Sequence, residues 1–398
     1  MMRESFFSNT DMIQKAPRPT LPRCGMCRLY KSCKSPKMAM TGKGKKEILV
    51  VAASPGKWED KKGKHHIGQA GQLLRRHFSR LGINLNRDCW MTNAVICRRK
   101  DTGQPTDAEI EACRPNLLNT IKKTNPKIII LLGQAACKSL LQVLWKEDIG
   151  SVTRWGGWSI PSQNPNAWIC PTYHPSHILG EDNPILEGMF HEHLKMSLKQ
   201  KDRPKILMDQ RYRVDILYSP SEVEMALKYY KESPRPVAFD YETNCLKPDG
   251  KGWEIVSCAL SNGQQTVAFP FYESMRDDLS SFLRSPVGKI ASNLKFEERW
   301  TRAYFGHGVR KWHWDTMLAA HVLNNKPGIT SIKFLAFVML GMESWDDDIK
   351  PYLKGVGGNR FNRVRELETK DLLLYNGLDA LYEYKVAMKQ MKLMRKRK

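Results

Sequence analysis

Four acidic side chains and one tyrosine in the second half of the chain have the types and spacing to bind divalent metal ions. Asp240 and Glu242 alternate at the end of a predicted strand, so both side chains fall on one side of it, where two oxygen ligands can reach one cation. Tyr375 and Asp379 are four residues apart in a predicted helix, so they share one face. Glu297 follows another predicted strand between these segments. Together they predict a metal centre, whereas an isolated Asp-x-Glu pair is more often a solvated strand end.

Cysteines in the first half of the chain form a second set of possible ligands. Cys24 and Cys27 have the two-residue spacing that is typical of zinc and iron–sulfur ligands, and Cys97 and Cys113 offer a second pair that flanks a loop. The alternative is that Cys97 and Cys113 are ordinary core thiols, and Cys33 is a competing ligand. Four thiols in one domain of an intracellular protein favour a thiolate-bound centre.

The composition describes a protein with a large positive charge. The 398 residues carry a formal net charge of +23, with a pI of about 9.6 and a mean hydropathy of -0.50. Such an excess favours nucleic acid as a partner, and the alternative is a Lys-rich surface that only aids solubility. No apolar run approaches the roughly eighteen residues of a membrane span, and the N-terminus lacks a secretory pattern. We therefore expect a cytoplasmic, nucleic-acid-binding protein that does not bind membranes.

The length favours two domains. Strand and helix patterns alternate in the first half, which predicts a parallel sheet with helices on both faces. The second domain begins after the charged stretch 199–204 and contains predicted strands at 213–218, 237–240 and 289–292, and predicted helices at 220–232, 314–323 and about 369–389. The expected divisions are a flexible arm (1–20), a first domain (21–200), a second domain (201–392) and a basic tail (393–398).

The second domain resembles the DEDDy exonucleases, in particular the proofreading domain of bacterial and phage family A DNA polymerases. Asp240-x-Glu242, Asn293-x-x-x-Glu297 and Tyr375-x-x-x-Asp379 carry the resemblance, which covers about residues 205–390. It implies a ribonuclease H-like α/β fold with a mixed sheet, and two Mg²⁺ or Mn²⁺ ions. Asn293 is expected to contact DNA.

The same resemblance implies a role for each ligand. Asp240 would bridge both ions, Glu242 and Asp379 would complete the first ion site, and Tyr375 would orient the attacking water. Glu297 would hold the second ion, although the family usually has Asp there and the adjacent Glu298 is also acidic. Hydrolysis needs an activated water and relief of charge on the leaving 3′ oxygen, which two ions supply together.

The first domain looks like the family 4 uracil-DNA glycosylases. The resemblance covers about residues 20–198 and follows the order Cys-x-x-Cys, Pro55-Gly56, Gly68-Gln-Ala-Gly71, Thr92-Asn93, Cys97, Cys113 and His174-Pro-Ser176. It implies a three-layer α/β/α fold with a central parallel sheet. It also implies one structural [4Fe–4S] cluster on Cys24, Cys27, Cys97 and Cys113.

The resemblance extends to a base-binding pocket that departs from the family at two positions. Asn93 would read the uracil edge and His174 would hydrogen-bond its O2, with Pro55, Gly56 and Ser176 beside the DNA. The family's water-activating Glu is replaced by Ala53, and the aromatic that stacks on uracil is replaced at His65-His66, where His66 can still stack. Glu59 and Asp60 are possible substitutes for the missing acid.

These inferences favour a metal-dependent 3′–5′ DNA exonuclease of the proofreading type, fused to a glycosylase-like domain that is weak or inactive in base excision. The arrangement is similar to the N-terminal portion of certain phage polymerases. No palm and fingers module follows the Tyr375 helix, so we expect a DNA polymerase or replisome component in trans. The expected substrate is DNA with single-stranded or frayed 3′ ends. For a phage protein, the expected location is the host cytoplasm. The alternatives are an active uracil-DNA glycosylase with exonuclease trimming, and a non-catalytic replisome accessory subunit.

Overall fold

The computed structural model describes residues 22–101, 103–355 and 360–396. The chain divides into two compact units between Lys205 and Ile206. This division lies a few residues beyond the expected one at 200/201, because Arg203 donates hydrogen bonds to the main-chain oxygens of Pro126 and Asn166 and fastens the connecting segment to the first unit. The expected flexible arm, 1–20, falls outside the described residues.

The first unit is built on a five-stranded sheet in the order β2-β1-β3-β5-β4. All neighbouring pairs are parallel except β4 with β5. The strands are β1 (Ile48–Ala52), β2 (Cys89–Asn93), β3 (Ile128–Leu132), β4 (Ile160–Ser162) and β5 (Ala167–Thr172). The helices are α1 (Cys24–Cys27), α2 (Lys57–Lys62), α3 (Gln69–Arg80), α4 (Leu85–Asp88), α5 (Asp107–Thr124), α6 (Gln134–Leu144), α7 (Val152–Trp155), α8 (Pro175–Glu181) and α9 (Pro184–Leu198).

Helices cover both faces of this sheet. Helices α3, α8 and α9 pack on one face, where Phe78, Ile178 and Phe190 contact the side chains of β1 and β3. Helix α6 contacts β1 and β3 from the other side, and α5 packs against α6. The buried strands are apolar throughout because both faces are covered. The expected three-layer α/β/α fold is confirmed.

The second unit is built on a six-stranded mixed sheet in the order β11-β10-β7-β8-β9-β6. Strands β7, β8 and β9 are antiparallel neighbours, whereas β10 runs parallel to β7 and β11, and β6 runs parallel to β9. The strands are β6 (Asp215–Ile216), β7 (Val237–Thr243), β8 (Ile255–Ser261), β9 (Thr266–Pro270), β10 (Lys289–Ala291) and β11 (Trp312–Asp315). The helices are α10 (Pro220–Lys231), α11 (Arg276–Leu283), α12 (Lys295–Phe305), α13 (Thr316–Leu323), α14 (Ile332–Leu340), α15 (Lys350–Leu353) and α16 (Thr369–Arg395).

The long helix α16 lies across one face of this sheet. Leu373 and Ala380 pack against the small residues Ala259 and Ala268 of β8 and β9, and this contact brings the helix close to the strands. The other face holds the larger aromatic core with α10, α11 and α12. This mixed sheet with helices on both faces confirms the expected ribonuclease H-like class.

Three predicted element boundaries in the second unit differ from the structure. The helix expected over 314–323 begins at Thr316, because Trp314 and Asp315 belong to β11 and pair with β10. The strand expected over 213–218 is limited to Asp215–Ile216. The residues 393–395 of the expected basic tail continue α16, because Met391, Leu393 and their neighbours are good helix formers. Residues 397 and 398 fall outside the described residues.

Candidate functional site

Strand β7 presents two carboxylates on the face that α16 covers. Its side chains alternate, so Phe239 and Tyr241 point into the aromatic core while Asp240 and Glu242 are half-buried on the opposite side. The strand is central in the sheet, between β8 and β10. The predicted alternation therefore gives both acids a rigid position.

Helix α16 brings a third carboxylate to this pair. The ligand oxygens of Asp240, Glu242 and Asp379 lie within 4.8 Å of one another, close enough to bind one cation. Tyr375 lies one turn earlier on the helix, where burial raises its pKa and Asp379 is the neighbouring charge that raises it most. The structure thus brings together four of the five residues that the sequence assigned to this centre.

The fifth predicted ligand, Glu297, is buried in the first turn of α12, and its Oε2 has no hydrogen-bond partner within the described part of the chain. The competing Glu298 is fully engaged: its Oε2 accepts from the Val309 amide and the Trp312 indole, each at 3.0 Å. The geometry therefore favours Glu297 over Glu298 as the acidic group that faces the centre.

Asp315 and Asn293 lie next to this site with structural contacts. The Asp315 carboxylate accepts from the amides of Met317 and Leu318 at the start of α13, and from those of Asn293 and Leu294. Asn293 has a left-handed backbone with φ 68°. These bonds fix the loop that follows β10, the loop on which the DNA contact of Asn293 was expected.

Sequence reasoning missed a further acid, Glu383. It lies one turn after Asp379 on α16, is 2% exposed, and accepts from the Ser292 amide at 3.1 Å through Oε1. The signal that could have found it is its spacing, four residues from Asp379 and eight from Tyr375, which places all three on one helix face.

Burial and mutual repulsion disfavour the charged forms of these acids in the absence of a cation. Burial raises the pKa of Asp240 well above its usual range, and Asp379 adds to the effect. Burial also raises the pKa of Glu242, with Asp240 as the strongest neighbouring charge, and the pKa of Glu297 for the same two reasons. Such a group of hard oxygen donors is suited to divalent metal ions, whose charge would remove the repulsion.

Three polar side chains that the sequence did not indicate stabilise the carboxylates. Lys333 of α14 forms an ion pair with Asp379 and lies over the rings of Trp345 (3.9 Å) and Tyr375 (4.4 Å). The Trp345 indole donates to Asp379 at 2.8 Å. Asn376 donates to Oδ2 of Asp240 at 2.7 Å. The ammonium group of Lys333 thus contacts the carboxylate of Asp379.

A separate cavity of about 410 Å³ in the second unit contains none of these acids. It lies on α10 and α11 and has a largely basic lining that includes Lys228, Lys231 and Arg284. This cavity is therefore separate from the acidic site between β7 and α16.

In the first unit, His174 has a fixed tautomer at the start of α8. Its Nδ1 accepts from the Ser176 amide at 3.2 Å and contacts the Ser176 hydroxyl at 2.7 Å, so the ring proton is on Nε2. Burial lowers the pKa of His174 to about 4, which keeps the ring neutral near pH 7. Ser176, expected beside DNA, therefore positions the histidine, whose Nε2–H is available as a donor.

The pocket region contains three buried polar groups whose hydrogen-bonding atoms have no partner within the described residues. They are Nε2 of His65, Nε2 of His66 and Nδ2 of Asn93. Burial lowers the pKa of His65 to about 4 and that of His66 to about 3, so both rings are neutral. His65 was not assigned a role from the sequence. Unpartnered buried donors and acceptors of this kind suit a polar ligand such as a base edge.

Gly71 permits the tight turn that holds His66. His66 has a left-handed backbone with φ 54°, and a Cβ at position 71 would lie 2.1 Å from its carbonyl carbon. Arg75 donates to the His66 carbonyl oxygen at 3.0 Å. The predicted Gly-Gln-Ala-Gly segment therefore sets the position of His66.

The acids near Ala53 are both engaged in the structure of the loop. Glu59 accepts from the amides of Ile67 (2.9 Å) and Gly68 (2.8 Å), and its carboxylate packs against Gly56. Asp60 is buried and accepts from the amides of Lys34 and Ser35. Ala53 itself is buried in a small apolar cluster with Val95, Ile110 and others. The position of the family's catalytic acid thus carries a methyl group.

The predicted cluster ligands converge in the same unit. Burial raises the pKa of Cys113, and the charges of Cys27 and Cys24 raise it further. Burial likewise raises the pKa of Cys97, with additional contributions from Cys33 and Cys113. Cys113 is thus close to Cys24 and Cys27, and Cys97 is close to Cys33 and Cys113.

Amide donors also point at two of these sulfurs. The Lys37 amide donates to Cys97 Sγ at 3.2 Å, and the Ile96 amide donates to Cys113 Sγ at 3.4 Å. N–H groups aimed at sulfur stabilise thiolates and tune the redox potential of iron–sulfur clusters. This donor set fits a thiolate-bound cluster.

Comparisons with known families agree with the two units. The model of the family described as "Uracil DNA glycosylase superfamily" matches residues 40–195, and the model described as "3'-5' exonuclease" matches residues 214–395. The second unit is therefore a nuclease domain that hydrolyses nucleic acid. Separately, no helix among the described residues is both long and apolar enough to cross a membrane.

Individual relatives match each unit or both. The type-4 uracil-DNA glycosylase of Pyrobaculum aerophilum is 33% identical over 186 residues, which cover 44% of this chain and 88% of that protein. A DNA polymerase of Bacillus phage SP01 is 26% identical over 346 residues, which cover 77% of this chain and 36% of the polymerase. Among solved structures, Escherichia coli RNase D matches with a TM-score of 0.36 and 14% identity, covering 45% of this chain and 44% of that chain. Through its first unit the chain belongs to the type-4 uracil-DNA glycosylase family, and it joins to that unit a 3′–5′ exonuclease domain.

Proposed function

We propose that this protein is a two-metal 3′–5′ exonuclease of the proofreading type that removes nucleotides from DNA ends. The observation that carries the proposal is the convergence of Asp240, Glu242 and Asp379 within 4.8 Å. Glu297 extends the acidic set, with a buried oxygen that has no partner among the described residues. When bound, two Mg²⁺ or Mn²⁺ ions supply activation of water and relief of charge on the leaving oxygen.

The protein's own residues position the reactants. Asp240, Glu242 and Asp379 would hold the first ion, and Asp240 with Glu297 would hold the second. Tyr375 orients the attacking water, and its protonated hydroxyl supports this role because burial and Asp379 raise its pKa well above the usual range. Lys333 forms an ion pair with Asp379 and lies over the Tyr375 ring, so it helps to fix the position of both side chains.

Three observations support DNA as the substrate and a polymerase as the functional partner. The net charge of +23 favours a polyanion, because phosphate contacts release counterions. The first unit belongs to a family named for acting on uracil in DNA. The phage relative that matches both units is a DNA polymerase. We infer that the exonuclease edits single-stranded or frayed 3′ ends for a polymerase in replication or repair, and a polymerase in trans remains our prediction.

For the first unit we propose base or DNA binding with weak or no excision. Asn93 and His174 supply polar groups that suit a pyrimidine edge, and His66 can stack on the base. The methyl group of Ala53 cannot activate water, and Glu59 and Asp60 are held by backbone amides. A well-placed general base is worth about 10²- to 10⁴-fold in rate, so its loss leaves binding with little turnover.

We further propose that Cys24, Cys27, Cys97 and Cys113 hold one [4Fe–4S] cluster with a structural role. Cys33 is the alternative ligand, because its thiol is close enough to Cys97 to raise the pKa of that residue. Serine variants of Cys33 and Cys97 therefore show which of the two binds the cluster. Cys97→Ser should remove the brown absorbance of the cluster and destabilise the first unit, whereas Cys33→Ser should keep the colour. A colourless, zinc-loaded wild type, or loss of colour only in Cys33→Ser, would contradict the assignment.

One assay tests both units. The full chain is incubated with Mn²⁺ and a 5′-labelled single-stranded DNA that contains one internal uracil, and the products are resolved with and without alkali. We expect metal-dependent shortening from the 3′ end and no alkali-specific break at uracil. An alkali-specific break by the wild type would overturn the proposed weakness of the first unit.

Ala53→Glu provides a gain-of-function comparison in an Asp240→Asn background, where digestion does not obscure the alkali-specific product. Restoring the carboxylate should increase the break at uracil by about 10²-fold or more. A matched control, Glu59→Gln, tests whether the existing acid contributes. If the protein with Ala53 breaks the strand at uracil and Glu59→Gln abolishes that break, the structural role assigned to Glu59 is contradicted.

A further inference from the structure

Glu383 is a buried acid that the proposed mechanism does not use. It follows Asp379 by one turn and Tyr375 by two, so it continues the helix face that meets β7. Its Oε1 accepts from the Ser292 amide at 3.1 Å. Its Oε2 is buried and has no hydrogen-bond partner within the described residues. A carboxylate oxygen in that situation needs a cation or a proton.

Ser292 locates Glu383 on the side of the centre where the second ion is expected. Strand β10 runs parallel to β7 and ends at Ala291, so Ser292 lies at the same edge of the sheet as Asp240. The chain then turns at Asn293 and enters α12, whose first turn contains Glu297. Glu383 is therefore held at the loop that delivers Glu297 to the site.

Glu297 and Glu383 share the same unmet requirement. Each has a buried Oε2 without a partner, and within the described part of the chain neither forms an ion pair with lysine or arginine. Among the residues that the structure describes, Lys333 is the basic side chain that pairs with an acid of this group, and its partner is Asp379. Buried carboxylates that lack both a hydrogen-bond partner and a counter-charge are strongly disfavoured, and a cation beside them removes that penalty.

We propose that Glu383 is a fifth carboxylate of the metal centre, which together with Glu297 and Asp240 holds the second divalent ion. This inference rests on the proposed exonuclease function and adds a ligand to it. Five carboxylates carry five negative charges, which two divalent ions and Lys333 balance before the substrate phosphate arrives. The centre can then retain the second ion more firmly than four acids would.

The test is Glu383→Gln in the full chain. Glutamine keeps the size of the side chain, and its Oε1 can still accept from the Ser292 amide, so only the charge is lost. Mn²⁺ is titrated into the protein with saturating deoxythymidine monophosphate, and bound metal is counted by electron paramagnetic resonance. We expect the second ion to bind about 10- to 100-fold more weakly and the first ion to bind as in the wild type. The Mn²⁺ concentration for half-maximal DNA digestion should rise by the same factor, with activity recovering at high Mn²⁺.

Asp371→Asn is the matched control, because it makes the same charge change at an exposed position on α16. It should leave both ions unchanged. If Glu383 is only a protonated hydrogen-bond acceptor for Ser292, Glu383→Gln will bind Mn²⁺ like the wild type, and the proposal is overturned. Should Glu383→Gln be too unstable to titrate, Glu383→Asp, which withdraws the carboxylate by one methylene, is measured with the same expectation. A wild type that binds two ions yet digests no DNA would refute the exonuclease function while leaving this ligand assignment to stand on the binding data.

Discussion

Lys333 offers a direct test of the electrostatics in the carboxylate cleft. Its ammonium pairs with Asp379 and lies 3.9 Å from the centre of the Trp345 ring and 4.4 Å from that of Tyr375. The side chains of Lys333 and Asp379 are only 18% and 9% exposed, so water screens the pair weakly. Within the described residues, Lys333 is thus a cation that offsets the charge of the crowded acids.

Lys333→Met keeps the length of the side chain and removes its charge. Breaking a buried pair by removing one partner costs about 3–5 kcal/mol, because the remaining charge is left uncompensated. For a unit of this size each kcal/mol lowers the melting temperature by roughly 2–4 °C, so we expect a loss of about 6–20 °C in EDTA. Divalent ions take over the charge compensation, so saturating Mg²⁺ should stabilise the variant more than the wild type.

The assay is differential scanning calorimetry of the full chain in EDTA and in Mg²⁺, following the transition of the second unit. Lys370→Met is the control, because Lys370 is exposed at the start of α16. Equal melting temperatures for Lys333→Met and the wild type in EDTA, together with equal gains in Mg²⁺, would refute the account of Lys333 as the compensating cation.

The remaining predictions concern the first unit. Gly71→Ala should destabilise the first unit by about 2–3 kcal/mol in urea denaturation, because the new Cβ would lie 2.1 Å from the His66 carbonyl carbon. The control Gly188→Ala should not destabilise it, because the space around Gly188 is open. Equal stability of the two variants would contradict the close approach of Gly71 to His66. Burial lowers the pKa of His65 from 6.5 to about 4, so between these pH values the unfolded chain binds more protons at His65 than the folded chain does. The stability that the neutral, buried His65 contributes is therefore fully present above pH 6.5 and is lost as the pH falls through that range. It amounts to about 3 kcal/mol at His65, so His65→Gln should lose less stability than the wild type between pH 7 and pH 4.5, and parallel pH profiles would show that His65 is not desolvated.

Local sequence patterns were sufficient to predict those site residues whose relative positions are set by a single strand or helix. The two-residue period of β7 placed Asp240 and Glu242 on one face, and the helical period of α16 aligned Tyr375 with Asp379. The alternation of strands and helices likewise predicted the parallel sheet of the first unit. These features depend on backbone periodicity, which the sequence expresses directly.

The features that the sequence did not predict depend on contacts between distant segments. Lys333 reaches Asp379 across 46 positions, and Ser292 meets Glu383 across 91. Glu383 belongs to no recognised motif and His65 departs from the family's motif, so their burial becomes visible only when the surrounding elements pack. The start of α13 was misplaced for a similar reason, because pairing of β11 with β10 extends Trp314 and Asp315.

The most direct test of the central claim is the direction and metal dependence of DNA digestion. The full chain is incubated with one single-stranded DNA labelled at its 5′ end and, separately, with the same DNA labelled at its 3′ end, with Mn²⁺ or with EDTA. With Mn²⁺ we predict a ladder that shortens progressively on the 5′-labelled strand and immediate release of labelled mononucleotide from the 3′-labelled strand. We predict no digestion in EDTA or by Asp240→Asn. Undiminished digestion by Asp240→Asn, or intact DNA with the wild type and Mn²⁺, would contradict the assignment of the carboxylate cleft as a 3′–5′ exonuclease centre.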